Sequence, residues 1–407
     1  MSDLAAAGPG LAPAGADPGS ADGEVSPDGW RHLLGRALAG VPAGAPAPAV
    51  WRALGEAGVL RRLYRDGNAL GPVVDPARLG DLLRTVDARG DNGATLSVLV
   101  QAASALPILG SGASGRSGRS GGAAAAPSPV AAARERVLAG SAQVALAATD
   151  EAAAGSDLSG LGTEVRFEDG GLVVHGGKRW VTNARSAEFL LVLARRRPGR
   201  HFTDFSWVLV PTGTAGVTVR PAATGLLANA ATGHIALDSV RLPADHLVGA
   251  NGRGMAVFAR HMSTERLAGA QWAVALTARV LADTRARLRG RTVDGEPLWH
   301  NAVVRRDFAE CLVRVAQLRA LCEDLAGTAA KGQNLSAGAL LKSAVGLTAD
   351  AVLARCAQLQ GADGFAAGGA QTVRAEAAVL GIGGGVTELM LDSVADQSEQ
   401  LLAEWRT

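Results

Sequence analysis

The chain is 407 residues long and 48% hydrophobic, enough to bury a sizeable core, which excludes wholesale disorder. Forty basic residues stand against 38 acidic ones, a formal charge of +2, and aromatics make up only 4%, with Tyr64 the single tyrosine. Such a chain offers neither a global field for a polyanion nor the stacking platforms that single-stranded nucleic acid needs. Cys311, Cys322 and Cys356 are too few and too scattered for a disulfide framework and lack C-x-x-C spacing, so reduced, buried thiols are expected. The first residues, MSDLAAAGPG, carry no basic stretch before an apolar one, so no signal peptide is expected. No run of about 18 uninterrupted apolar residues is present, so no spanning helix is expected and the expected location is the cytoplasm.

Residues 1–27 are Ala, Gly, Pro, Asp and Ser without periodicity and read as a disordered leader. Residues 28–140 read as an N-terminal helical domain. Within it WRALGEAGVLRRLYRDG (51–67) and PARLGDLLRTVDARG (76–90) place apolar residues three and four apart. The Gly/Ser-rich stretch 110–129 reads as a flexible loop, with Arg116 and Arg119 either solvated in it or suited to an anionic partner. Over 141–250 the pattern changes to short alternating or β-branched runs such as LVVHG, FLLVLARR and FSWVLVP, separated by Gly, Asp and Pro, which predicts a β domain. Residues 251–407 return to helix: one long element after Gly254, then Asn301–Gly332, Ala337–Gly361 and Gly385–Leu402. Helices of that length suit a bundle. The fold class is α+β.

Four segments carry more specific information. They are TDEAAAGSDL (149–158), GGKRWVTNA (176–184), LDSVRLPADHLVGANGRG (237–254) and QLQGADGF (358–365). In order, they resemble the T-E-P-x-x-G-S-D loop, the G-x-K-x-W-I-T-N strand, the F-x-D-V-x-V-P connection and the Q-x-x-G-G-x-G-[FY] turn of the acyl-CoA dehydrogenase family. The resemblance implies a barrel-like middle β domain and a C-terminal four-helix bundle. It also implies FAD as cofactor and desaturation of an acyl thioester carried by CoA or an acyl carrier protein, by analogy in secondary metabolism. Such chemistry needs a base for the α proton and an acceptor for the β hydride, which the flavin supplies. An electron-transfer flavoprotein or oxygen would reoxidise the flavin, and the assembly would be a homodimer or homotetramer.

By this resemblance Trp180 packs beside the flavin, Thr182 bonds near its N5, and Thr149 and Ser156 belong to the loop that contacts it. Thr149 stands one residue from the family threonine, whose place Asp150 takes, and Ser156 reads equally as a turn serine beside Asp157. Arg291, Gln358, Gly361 and Ala362 match positions that approach FAD across a subunit interface. Arg291 as a solvated arginine and Gln358 as a helix-end polar group remain open. Asp294 and Ala302 depart from the family pattern, which bears on how strongly FAD is held.

The base needs a separate argument. Most of the family places a glutamate in a C-terminal I-Y-E-G-T motif, where this chain reads Ile382-Gly383-Gly384-Gly385-Val386. Members such as the isovaleryl- and long-chain acyl-CoA dehydrogenases have glycine there and carry the base on the long helix, before an arginine. This chain has Glu265-Arg266 at that place. The resemblance therefore implies Glu265 as base, Arg266 beside the substrate, and the N–H of Gly384 as an oxyanion donor. The open alternatives are a helix-surface Glu265 paired with His261, a flavin-dependent monooxygenase on the same fold, and a flavin-free binding or scaffold protein.

Overall fold

The computed structural model describes residues 25–68, 71–113, 126–151, 160–332 and 334–406. The expected leader therefore lies outside the described residues up to residue 24, as does most of the expected Gly/Ser loop. The chain enters α1 (Pro27–Ala39), α2 (Ala47–Glu56) and α3 (Val59–Arg62), then a hairpin of β1 (Tyr64–Asn68) and β2 (Gly71–Val74). The single helical reading of 51–67 is thus corrected: Gly58, at φ +69°, ends α2, and the apolar spacing beyond it serves one short turn before the hairpin. α4 (Pro76–Asp87) and α5 (Asn92–Val100) start on Asp75 and Asp91, whose carboxylates accept from the free N–H groups of each first turn. A wide π-helical turn, Gln101–Ala105, joins α5 to α6 (Leu106–Ala113). α6 and α7 (Pro129–Leu138) correct the expected loop at both its ends.

The middle sheet comprises β3 (Val144–Ala147), β4 (Glu164–Glu168), β5 (Gly171–Val181), β6 (Phe189–Arg195), β7 (Phe205–Pro211), β8 (Val217–Pro221), β9 (Gly233–Pro243) and β10 (Leu247–Val248). Its order is β10-β7-β6-β4-β5-β9-β8, with β3 parallel to β6. The expected barrel-like closure is not made: among the described residues β8 and β10 are separate edges. Bulges in the long β5–β9 pair bend the sheet without closing it. β6 explains its own uninterrupted apolar run. Leu190, Val192 and Ala194 enter a core internal to the β domain, while Leu191 and Leu193 join the core shared with the helices.

The C-terminal part is led by α8 (Gly254–Gly290), 37 residues long. A small hairpin follows, β11 (Thr292–Val293) and β12 (Glu296–Pro297), turned by Asp294 and Gly295, both at positive φ. Asp-Gly is the pair such a turn favours, which accounts for the missing family aromatic. α9 (Ala302–Lys331) and α10 (Leu335–Gln360) pack on α8. Asn301 caps α9 with its side chain, and Gly332 closes it at φ +63°.

The fourth side of the bundle is built of short pieces: α11 (Ala370–Ala377), α12 (Val379–Ile382), α13 (Thr387–Ala395) and α14 (Ser398–Glu404). The expected helix Gly385–Leu402 is broken at Asp396–Gln397, where the Gln397 side chain folds back to donate to Ser393 O.

Cys311, Cys322 and Cys356 are buried and free, as expected. Asn92–Ser111 and Leu335–Phe365 are long and apolar enough to cross a membrane, with mean hydropathy 1.5 and 1.4, yet 89% and 56% of those windows are buried inside the fold. A helix apolar on all sides is what the centre of a large core requires.

Candidate active site between the sheet and the helices

A cavity of about 670 Å³ opens where the end of β5 meets α5, α8, α10 and the loop after α12. On the sheet side, β5 is extended by the segment around Thr149: Glu151 N–H donates to Gly177 O at 3.0 Å, and Arg179 N–H donates to Thr149 O at 3.1 Å. Asp150, between them, turns its carboxylate into the β domain. It accepts from Thr163 N at 3.0 Å, from the Thr163 hydroxyl at 2.6 Å, and from Lys178 Nζ at 3.1 Å. Lys178 is fully buried, and burial pushes its ammonium down to about 8 against the pull of Asp150. The Asp150 carboxylate thus serves as an internal clamp for the strand at the cavity's edge.

Trp180 takes φ +55°, a conformation that a large side chain adopts only at a cost, and its ring is 55% exposed at the cavity. The backbone N–H of Trp180 donates to His234 Nδ1 at 3.2 Å, and the two rings meet edge to face at 5.1 Å. Thr182 lines the same wall. Asn183, next in the chain and also at positive φ, is buried. Its amide oxygen accepts from the Ser97 hydroxyl at 2.5 Å and its NH₂ donates to Ser97 O at 3.2 Å. That exchange ties the end of β5 to α5 and fixes where Thr182 stands. A flat, exposed aromatic beside a held threonine in a cavity of this size fits a planar heteroaromatic ring.

On the helix side, Glu265 and Arg266 of α8 and Gly384 come together. Glu265 is half-buried, and its carboxylate accepts a hydrogen bond from the Ser104 hydroxyl. Burial pushes its carboxyl above the ordinary range; the Ser104 bond and the charges of Arg266 and Lys342 oppose that push. Arg266 Nε donates to Gly384 O at 3.0 Å. Gly384 stands at φ +74°, and among the described residues its N–H meets no protein acceptor. Leu96, Leu99 and Val100 of α5 with Trp272, Leu380 and Met390 give the cavity an apolar remainder.

The structure therefore brings Thr149, Trp180, Thr182, Glu265, Arg266 and Gly384 into one cavity. A second cluster forms at the far end of α8: Arg291 donates to Gln360 O at 3.0 Å and lies 3.7 Å from Asp363, with Gly361 beside it. Gln358 is exposed, its side-chain oxygen bonded by Arg355, and Gly361 and Ala362 are also exposed. None of these four lines the first cavity. Ser156 lies outside the described residues.

Two groups at the site escaped the sequence reading, Lys342 on the cavity wall and Ser104 behind Glu265. Lys342, buried on α10, donates to Leu380 O and is pushed down to about 8 by burial. Its signal was present, as an isolated cation in the apolar stretch AGALLKSAVGL. Ser104 carried no signal of its own.

Family models for the acyl-CoA dehydrogenase middle domain and C-terminal domain match residues 145–240 and 252–398. The chain is 30% identical over 269 residues to an acyl-[acyl-carrier-protein] dehydrogenase, MbtN, of a Mycobacterium species (strain MCS), covering 64% of this chain and 67% of that one. It is also 30% identical over 236 residues to the probable acyl-CoA dehydrogenase FadE2 of Mycobacterium tuberculosis, covering 56% of this chain and 58% of that protein. The match thus spans well under two thirds of FadE2's length. A solved glutaryl-CoA dehydrogenase from Mycobacterium smegmatis, in complex with FADH2, superposes with a TM-score of 0.75 at 20% identity, over 91% of this chain and 93% of the other. The helical, sheet and helical parts, the matched models and these relatives agree: the chain belongs to the acyl-CoA dehydrogenase family.

Proposed function

We propose that the protein is an FAD-dependent dehydrogenase that introduces a Cα=Cβ double bond into an acyl thioester carried by CoA or by an acyl carrier protein. One observation carries the reading: a half-buried carboxylate, Glu265, faces Gly384 in a cavity whose other wall presents Trp180 and Thr182. In this reading Trp180 and Thr182 hold the isoalloxazine of FAD, with Thr149 at its edge. Bound FAD supplies the acceptor for the hydride leaving Cβ. Glu265 takes the α proton, and the electron pair of that C–H bond becomes the new π bond. The N–H of Gly384 suits the thioester oxygen as negative charge develops there. Arg266 holds the Gly384 carbonyl, which fixes the direction of that N–H.

Arg291, Gln358, Gly361 and Ala362 are exposed or half-exposed and far from the cavity, which supports their use by the FAD of a neighbouring subunit in a homodimer or homotetramer. The relatives' names support both thioester carriers, and an electron-transfer flavoprotein or oxygen is the fitting final acceptor.

The test is anaerobic titration of the FAD-loaded protein with acyl-CoA and with acyl-carrier-protein thioesters, followed by visible absorbance. Bleaching by one class, lost in Glu265→Gln with the flavin still bound, is expected. A protein that takes up no FAD overturns the reading. Equal bleaching by Glu265→Gln overturns the base assignment.

A further inference from the structure

Between α5 and α6 the helix widens at Gln101–Ala105, where Leu106 N–H reaches back five residues to Gln101 O. Pro107, two residues beyond the turn, has no N–H to return to the preceding carbonyls, a recognised cause of such widening. Three side chains hold the turn from three directions. The Tyr64 hydroxyl donates to Ala102 O at 2.8 Å, and burial pushes its phenol up, so it remains a donor. The Gln101 side-chain oxygen, fully buried, accepts from Val144 N–H at 3.1 Å at the start of β3. Ser104, also buried, directs its hydroxyl across to Glu265 on α8.

A helix turns about 100° per residue, so the extra residue of a π turn re-aims everything after it. We infer that this turn is a positioning device: it carries Ser104 to Glu265 and so fixes the direction in which that carboxylate faces the cavity. Ser104 is thereby a positioning residue, acting through Glu265. The inference deepens the proposed dehydrogenase reading and rests on it for its kinetic part.

The hydroxyl also acts on charge. A hydrogen bond donated to a carboxylate favours the ionised form, opposing the burial that favours the neutral one. The charged groups that bear on Glu265 are Arg266 on its own helix and Lys342 on α10, with Glu388 of α13 acting on Lys342. His261 is buried one turn earlier on α8. Ser104 is the neutral donor among them, so its removal alters the site without changing its count of charges.

The experiment compares wild type, Ser104→Ala, Ser104→Cys and Ser104→Thr in two measurements. The first is an infrared titration of the carboxyl band in the flavin-free protein, assigned by its loss in Glu265→Gln. The second is the pH dependence of anaerobic bleaching, with FAD bound and the thioester that bleaches wild type. In Ser104→Ala the carboxyl midpoint is expected to rise and bleaching at neutral pH to slow roughly tenfold, the scale of one charge-assisted hydrogen bond. Ser104→Thr restores both. Ser104→Cys, nearly isosteric and a weak donor, moves the midpoint in the same direction and decides the matter if the alanine variant does not fold. An unmoved midpoint in the folded variant overturns the inference. Failure of wild type to bleach, with the infrared shift intact, overturns the dehydrogenase reading and leaves the positioning role standing.

Discussion

A Cβ placed on Gly384 would stand 3.4 Å from Oε1 of Glu265 and 3.6 Å from the methyl of Met262. Glu265 and Gly384 are therefore spatial neighbours. A Cβ alone would sit in van der Waals contact there, whereas a second carboxylate at 384 would stand against the first. The φ of +74° at the same position adds a backbone reason for glycine.

Gly384→Ala tests both reasons. It strains the left-handed backbone and brings a methyl into van der Waals contact with Glu265. Unfolding free energy should fall by about 1 kcal/mol, and bleaching by substrate should fall more steeply than FAD affinity. Denaturant unfolding and single-turnover absorbance measure the two effects separately.

The buried Glu265 carboxyl sets a pH dependence with a definite sign. Its native pKa lies above that of the unfolded chain, so the native state holds a proton that the unfolded state has lost. This contribution to stability is fully present below the unfolded-chain pKa and is lost as pH rises from there through the native pKa. In the proposed reaction activity runs the other way, because Glu265 would act deprotonated: the rate should rise with pH, with its midpoint above the ordinary glutamate range. A rate profile and a stability profile of wild type against Glu265→Gln check both slopes.

Lys342 gives the opposite stability slope at higher pH. Its ammonium is pushed down to about 8 from an ordinary 10.5, so between those values the unfolded chain binds the extra proton. Stability from this group should increase with pH across that window. Lys342→Met removes the increment and the bond to Leu380 O, loosening the segment that leads to Gly384. Thermal unfolding at pH 8 and pH 10 should show a smaller difference in the variant than in wild type.

The Lys178–Asp150 pair is buried on both sides, so removing one partner leaves the other charge uncompensated. Lys178→Met should cost roughly 3 kcal/mol, and FAD affinity should weaken as the Thr149 segment detaches from β5. The double variant with Asp150→Asn should cost less than the two single changes added together. A double-mutant cycle by denaturant unfolding reads that coupling.

What the sequence made legible follows from which features are local. The long helices, their Asn301 and Gly332 ends, and the β domain rest on periodicity and capping, which a short window contains. Glu265 and Gly384 were found as a pair because each departs from a family motif in a way the other completes. Ser104 was missed because its importance lies in a wide turn and a partner 161 residues away, and Pro107 was the one local hint. The hairpin β1–β2 was missed because apolar spacing continued through Gly58. Asp150 was legible as a departure, but its inward turn toward Lys178 depends on the pairing of two segments that no window holds together.

The length of α8 has one more consequence. Glu265 and the helix end beside Arg291 are separated by about 39 Å of helix, at about 1.5 Å per residue. A single bound molecule cannot be gripped by both, so the rod works as a spacer with its two ends phased against each other. Inserting one residue midway along it would leave every named side chain in place in the sequence. It would also rotate one end by about 100° relative to the other. Each end could then keep its own chemistry while the alignment of the Glu265 end with the Arg291 end was lost, which makes the phase of this helix a property that selection can act on independently of any residue at either end.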